Sequence, residues 1–173
     1  MDDWLKTHAM LVTAIAGAIY IGQGSTAAVA ESRDSIRVLV RGIRQSFGRL
    51  SDAGVVVTPM KLALLVGLPA ILARLYLRRF LARPASELIL ARHANAVPGE
   101  MVTLIEELRA IVRLDLRAAP DLETLWAAET TAASQRDFSR PTKRQEQDFD
   151  QSNNPSINPK EPPHANDESR HFR

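Results

Sequence analysis

Residues Val55 to Arg83 read VVVTPMKLALLVGLPAILARLYLRRFLAR, and no other stretch of the chain is both so apolar and so abruptly followed by cations. Lys61 is the only charged residue before Arg74, and four arginines then occur within ten residues. Arginine stems lie along acyl chains while their guanidinium groups reach lipid phosphates, so this pattern is typical of a segment that ends at a membrane surface. We therefore predict that residues 54–83 form a hydrophobic membrane segment with an arginine stop.

A first hydrophobic segment precedes it, because the twenty-two residues from Ala9 to Ala30 carry no charge. As a helix they would extend roughly 33 Å, which is long enough to cross the hydrocarbon core of a bilayer. Residues 1–30 are thus predicted to be a transmembrane helix or signal anchor. A cleaved secretory signal ending at Ala28-Val29-Ala30 is the alternative, although the acidic start of the chain argues against it.

Small side chains recur every four residues in the first segment. A stripe of this kind lets two membrane helices approach closely, and its partner would be the second segment or a second copy of the chain. Small residues are also simply common here, so the spacing alone does not prove a packing face. The predicted packing positions are Ala14, Ala18, Gly22 and Thr26, with Ala63 and Gly67 in the second segment.

The loop Gly22-Gln23-Gly24 begins a formal G-x-G-x-x-A pattern that follows the strand-like residues AIYI. In a dinucleotide-binding fold such glycines permit a tight turn and place a pyrophosphate at a helix N-terminus. The rest of the chain lacks the alternating strands and helices that this fold requires. Nucleotide binding is therefore only a remote alternative.

Residues 31–53 are predicted to form a basic amphipathic linker helix. Its apolar residues follow the i, i+3, i+4, i+7 rule, and its arginines lie largely off that stripe. Such a helix lies in the headgroup plane with its apolar face in lipid. A nucleic-acid-binding arm and a helix packed on protein are the alternatives. The apolar stripe comprises Ile36, Leu39, Val40, Ile43, Phe47 and Leu50.

The central part of the chain is strongly basic, since residues 33–83 contain ten cations and two carboxylates. We expect its arginines to contact lipid headgroups. Lys61 is a candidate intramembrane charge that would line a pore or form an ion pair, unless it extends to the nearby interface. The predicted headgroup contacts are Arg33, Arg37, Arg41, Arg44, Arg49, Arg74, Arg78, Arg79 and Arg83.

Arginines on both sides of the second segment conflict with a single span, because cytoplasmic flanks should carry the excess of cations. A cleaved first segment would resolve the conflict, and so would two spans with unequal flanks. The third solution is a second segment that lies shallow or re-enters, bent by Pro59 and Pro69. Two spans are the favoured arrangement.

Residues 84–133 are predicted to be a helical region outside the bilayer. Ser86 can cap a helix from Glu87 to about Asn95, and an amphipathic helix follows Glu100. That helix must bury its apolar stripe, and a self-packed helical hairpin does so most simply. Residues 134–173 are polar and rich in proline, so we predict a disordered tail.

The residue types exclude several chemistries. The chain has no cysteine, which rules out disulfides and thiolate chemistry. The four histidines are far apart and lack carboxylates at ligand spacing, and Glu106 and Glu107 are adjacent, so they diverge on a helix. We predict no catalytic residue, metal site or cofactor.

Together these patterns predict an all-α integral membrane protein with two hydrophobic helices, an interfacial helix, an extramembrane helical region and a disordered tail. We expect a non-enzymatic anchor, organiser or accessory subunit of a membrane assembly. Its expected partners are anionic membrane lipids and other membrane helices or a second copy, with neither a small-molecule substrate nor nucleic acid. The alternative is an oligomeric pore former, which in general outline resembles phage holins and small viral membrane proteins without sharing a residue motif.

Overall fold

The computed structural model describes residues 2–92, 94, 98–112 and 119–139, and it contains no strand within these ranges. The described chain is therefore all-helical, as predicted. Its helices are α1 (Asp3–Ile21), α2 (Thr26–Glu31), α3 (Arg33–Asp52), α4 (Met60–Gly67), α5 (Ala70–Leu81), α6 (Pro84–Ser86), a π-helix (Glu87–Ala91), α7 (Pro98–Val112) and α8 (Pro120–Ser139).

Helix α1, formed by the first hydrophobic segment, lies in the protein core. It is the one described helix that is long and apolar enough to cross a membrane, and 56% of its apolar window is buried inside the chain. Core helices of soluble proteins and signal sequences meet the same criterion. Just over half of the apolar window of α1 is thus covered by other parts of the protein, while Trp4, Leu5 and Ile21 are exposed.

Helix α3 corrects the prediction of an interfacial helix. Ser32 caps its N-terminus by accepting a hydrogen bond from the Ser35 amide at 3.1 Å. Its whole predicted apolar stripe is buried in the common core, with Leu39 and Leu50 fully inaccessible. Because protein already covers this face, it is not available to lipid, and the alternative of a helix packed on protein describes α3.

The second hydrophobic segment does not form one long helix. It divides at Leu68-Pro69 into α4, with 8 residues, and α5, with 12 residues. At about 1.5 Å per residue these helices extend roughly 12 and 18 Å, whereas a hydrocarbon core is about 30 Å thick. Arg44 of α3 donates a hydrogen bond to the Leu68 carbonyl at the break. The apolar segment is therefore interrupted at Pro69, one of the two prolines expected to bend it.

Helices α7 and α8 share the core of α1 and α3. Trp126 of α8 donates a hydrogen bond to Thr13 of α1, and Gln45 of α3 accepts one from the Leu122 amide. Residues 1–138 cluster as one unit, so the described part of residues 84–133 does not pack apart from the preceding helices.

Helix α8 continues to Ser139, past the predicted start of the tail at Ser134. The extra turn extends the helix that begins at Pro120, and nothing in residues 134–139 breaks it, because this stretch contains neither proline nor glycine. The rest of the predicted tail, residues 140–173, lies outside the described residues, as do Asn95, His93, His164 and His171.

Candidate functional site

Helices α4 and α5 present a large exposed apolar surface, which we call the α4–α5 face. Helix α4 has no buried residue at all, and Met60 is 76% exposed. Helix α5 attaches to the core through a stripe at four-residue spacing, Ala73, Leu77 and Leu81, and exposes the opposite side. The face comprises Val56, Met60, Leu64, Ile71, Leu72, Leu75 and Tyr76.

The α4–α5 face becomes cationic toward the C-terminal end of α5. Leu75 and Arg79 are four residues apart and lie on one side of α5, and Arg83 follows the end of the helix. Here the surface forms a groove with a volume of about 350 Å³. The rings of Tyr76 and Phe80 stack in this groove with centroids 6.4 Å apart. Its lining is Leu72, Leu75, Tyr76, Arg79, Phe80 and Arg83.

The charges around this surface are nearly all positive. From Met60 to Arg92 the chain carries six cations and one carboxylate, Glu87. Within the described ranges, none of these cations forms an ion pair and the buried Nε of Arg74 has no hydrogen-bond partner. The cations are Lys61, Arg74, Arg78, Arg79, Arg83 and Arg92.

The predicted headgroup contacts of α3 are in a different situation. Three of the five arginines lie within 4 Å of a carboxylate, at 2.8 Å for Arg37 and Asp34 and at 3.5 Å for Arg49 and Asp52. Arg41 approaches Asp121 of α8 at 3.9 Å, and Arg44 bonds the Leu68 carbonyl. Arg33 is exposed. Most α3 arginines therefore make contacts within the chain, unlike those of α5.

The small residues predicted to pack between membrane helices lie in two different environments. Ala14, Ala18, Gly22 and Thr26 are buried inside the chain. They do not share one helix, because α1 ends at Ile21 and α2 begins at Thr26. Ala63 and Gly67 lie exposed on α4, and a Cβ added at Gly67 would meet nothing within 4 Å. Lys61 is also exposed, at the second position of α4.

The loop Gly22-Gln23-Gly24 connects two helices, which corrects the dinucleotide-binding interpretation. Gln23 and Gly24 adopt positive φ values of 56° and 89° in this turn. The amides that would face a phosphate are occupied, because the Glu87 carboxylate accepts from the Thr26 amide at 2.7 Å and from the Thr26 hydroxyl at 2.6 Å. A phosphate at this position would be repelled by Glu87.

Glu87 is held in this arrangement by further donors. The Ala27 amide lies 3.3 Å and the Ser25 hydroxyl 3.4 Å from the same carboxylate oxygen. The Thr26 hydroxyl, followed by the amides of Thr26 and Ala27, lowers the pKa of Glu87 below its ordinary value of 4.5. Sequence reasoning missed this contact because it joins residues that are 61 positions apart.

Glu129 of α8 is a second carboxylate that sequence reasoning missed. It is fully buried, and neither of its carboxylate oxygens has a hydrogen-bond partner among the residues that the structure describes. Burial raises the pKa of Glu129 to about 8. The sequence did carry a signal, since Leu122, Leu125, Trp126 and Glu129 follow the spacing of one helix face.

Among the described residues, no group of three or more His, Cys, Asp or Glu side chains could hold a metal ion. The α4–α5 face is therefore the candidate functional site, because its exposed apolar residues are not part of the core. No protein-family model matches the chain, and no curated protein or solved structure matches it.

Proposed function

We propose that the protein attaches to membranes that contain anionic lipids through the α4–α5 face, and acts there as a non-enzymatic anchor, organiser or accessory subunit. The observation that carries this proposal is the combination of exposed apolar residues on α4 and α5 with arginines that have no partner among the described residues. Each feature alone is common on protein surfaces, whereas their adjacency is characteristic of a membrane interface.

The apolar part of the face supplies the main attraction. Removing apolar surface from water contributes roughly 25 cal/mol per Å². Soluble proteins rarely leave contiguous apolar patches larger than a few hundred Å² unless the patch is an interaction site. Met60, Ile71 and Leu64 each expose more than 60% of their surface, so contact with acyl chains would stabilise them all.

The cations favour lipid over a neutral protein partner. A basic residue near an anionic bilayer contributes about 1 kcal/mol, and this attraction weakens with salt. Tyr76 lies between the apolar residues and the arginines, and tyrosine is enriched at the level of lipid headgroups. Depth in the bilayer would therefore decrease from Ile71 toward Arg83.

The proposal assigns membrane contact to α4 and α5 and leaves α1 in the protein core. If α1 crossed the bilayer, its contacts with α3 and α8 would have to open, exposing side chains such as Trp126 and Leu39 that are now fully buried. A shallow, bent α4–α5 segment needs no such rearrangement. It is compatible with the break at Leu68-Pro69.

Flotation of the full-length chain with vesicles tests this proposal. We expect binding to phosphatidylcholine vesicles that contain phosphatidylserine, and little binding to phosphatidylcholine alone. Leu75→Asp should lower the partition coefficient at least about tenfold. A leucine that enters the bilayer contributes about 2 kcal/mol to binding, and the substitution replaces it with a charge. Ile21→Asp is the matched control, since Ile21 is an exposed residue of α1 outside the face.

Charge is tested in the same assay. Arg79→Gln should weaken binding to anionic vesicles about fivefold, whereas Arg33→Gln on α3 should change it little. Equal loss with both variants, or with Leu75→Asp and Ile21→Asp, would contradict the proposal. Release of a trapped dye by the wild-type chain would instead favour the pore-forming alternative.

A further inference from the structure

The groove at the end of α5 combines two cations with an apolar wall. Arg79 lies in the last turn of α5 and Arg83 lies in extended backbone just after it, and both line this groove. Leu72, Leu75 and the stacked rings of Tyr76 and Phe80 line the remainder. This arrangement suits a ligand that has an anionic head and an apolar body.

Neither arginine is required by the fold. Arginines near a helix C-terminus often bond the last carbonyls, but other groups do so here. The Ser86 hydroxyl donates to the Phe80 carbonyl at 2.6 Å, and the Ala82 amide lies 3.0 Å from the Arg78 carbonyl. Both arginine side chains are exposed and form no ion pair with a described residue.

The nearest carboxylate in the sequence is also occupied. Glu87 follows Arg83 by four residues and could neutralise it, yet its carboxylate accepts hydrogen bonds from Ser25, Thr26 and Ala27. The contact with the α1–α2 loop therefore engages this carboxylate, and the two arginines of the groove form no ion pair with any other described residue. An external anion can supply the missing charge.

We infer that this groove binds the phosphate group of a single anionic phospholipid, with the phosphate between Arg79 and Arg83 and the start of the acyl chains along Leu72 and Leu75. This inference rests on the proposed membrane function and goes beyond it by assigning one lipid molecule to one site. Guanidinium groups bind phosphate oxygens in pairs, and two of them match the double charge of a phosphate monoester such as phosphatidic acid.

The size of the groove supports a headgroup with the first part of the chains. Its volume of about 350 Å³ is near the lower end of the range of roughly 300–1,000 Å³ for small-molecule sites. The remaining acyl carbons would stay in the bilayer, which is consistent with a site at the edge of the α4–α5 face.

Calorimetric titration of the full-length chain with dihexanoyl phosphatidic acid, below the concentration at which it forms micelles, tests the inference without a bilayer. We expect saturation at one lipid per chain. Dihexanoyl phosphatidylcholine should bind at least about tenfold more weakly, because its headgroup has no net charge, and inorganic phosphate should bind more weakly because it lacks the apolar body.

Variants define the site. Arg79→Gln and Arg83→Gln should each weaken binding of dihexanoyl phosphatidic acid about tenfold, while Arg33→Gln should leave it unchanged. All three positions are exposed, and circular dichroism verifies that the variants fold. Equal affinity for the two lipids, equal affinity for inorganic phosphate, or an Arg79→Gln variant that behaves like Arg33→Gln would each overturn the inference.

The result of the short-chain lipid titration can be distinguished from that of the vesicle flotation experiment. A chain that floats with anionic vesicles but shows no saturable binding of the short-chain lipid would retain the membrane function and lose the site. A chain that binds the short-chain lipid but does not float would retain a lipid site and lose the membrane attachment on which its proposed role depends.

Discussion

Trp126 Nε1 donates a hydrogen bond to Thr13 Oγ1 at 3.2 Å, and both side chains are fully buried although they are 113 positions apart in the chain. The Thr13 hydroxyl in turn donates to the Met10 carbonyl at 3.2 Å. The guanidinium of Arg109 lies 5.5 Å from the centre of the Trp126 ring. One polar contact therefore ties the apolar helix α1 to α8 inside the core.

Thr13→Val should destabilise the fold by about 1–3 kcal/mol, because it keeps the shape of the side chain and leaves the indole N–H without a partner in the core. Thr124→Val is the matched control. Thr124 is exposed and bonds only the Pro120 carbonyl of its own helix, so its loss should change stability by less than about 0.5 kcal/mol. Urea denaturation measures both, and similar values would argue against the buried contact.

Gly17 permits the close crossing of α1 and α8. A Cβ at this position would lie 2.7 Å from the carbonyl carbon and 2.9 Å from the Cα of Leu125, and backbone cannot yield as a side chain can. Gly17→Ala should therefore cost about 1–3 kcal/mol. Gly48→Ala on α3, where nothing lies within 4 Å, should instead stabilise by roughly 0.5–1 kcal/mol. The midpoint of thermal unfolding should fall for Gly17→Ala and rise for Gly48→Ala. Equal shifts for the two variants would contradict a close approach of α1 and α8 at Gly17.

Glu129 should make stability fall as the pH rises. Its pKa is raised from 4.5 to about 8 by burial, so the folded chain retains a proton that the unfolded chain releases between these values. The contribution of protonated Glu129 to the stability of the fold is fully present below pH 4.5 and is lost as the pH rises through about 8. Glu129→Gln should abolish this slope, whereas the exposed Glu107→Gln should not. Urea midpoints at pH 5 and pH 8 distinguish the two variants.

Glu87→Gln should loosen the loop between α1 and α2. The pKa of Glu87 is lowered below 4.5, so its contribution is present above pH 4.5 and is lost as the pH falls through the lower value. At neutral pH we expect the Thr26 and Ala27 amides to exchange hydrogen about fivefold faster, which corresponds to roughly 1 kcal/mol for a partly solvated group of hydrogen bonds. Glu31→Gln, at an exposed position of α2, should leave both amides unchanged.

The two apolar segments show where hydropathy alone is ambiguous. Helix α1 and the α4–α5 segment are both strongly apolar, yet Met10 is fully buried whereas Met60 is 76% exposed. Hydropathy measures how much a side chain avoids water, and both a protein core and a lipid phase satisfy that preference. The choice between them depends on which other helices are present to cover the segment.

The α3 helix illustrates the same limit. Its amphipathic period was readable, and the buried residues are those of the predicted stripe. The sequence does not show what covers this stripe, because an apolar helix face packs equally well on lipid and on protein. The carboxylate of Glu87 was likewise visible in the sequence, but its donors at Ser25, Thr26 and Ala27 were not.

The helical character of the described chain, the apolar period of α3 and the concentration of cations between residues 33 and 83 follow from the sequence alone, which also offered a bend at Pro69 as one of three possibilities. Each of these depends on local geometry or composition, which neighbouring residues dictate. Only the tertiary structure decided that α1 is covered while the α4–α5 face is exposed, and that Glu87 is engaged while Arg79 and Arg83 lack a described partner. Those outcomes depend on contacts between residues far apart in the chain, which local patterns do not encode.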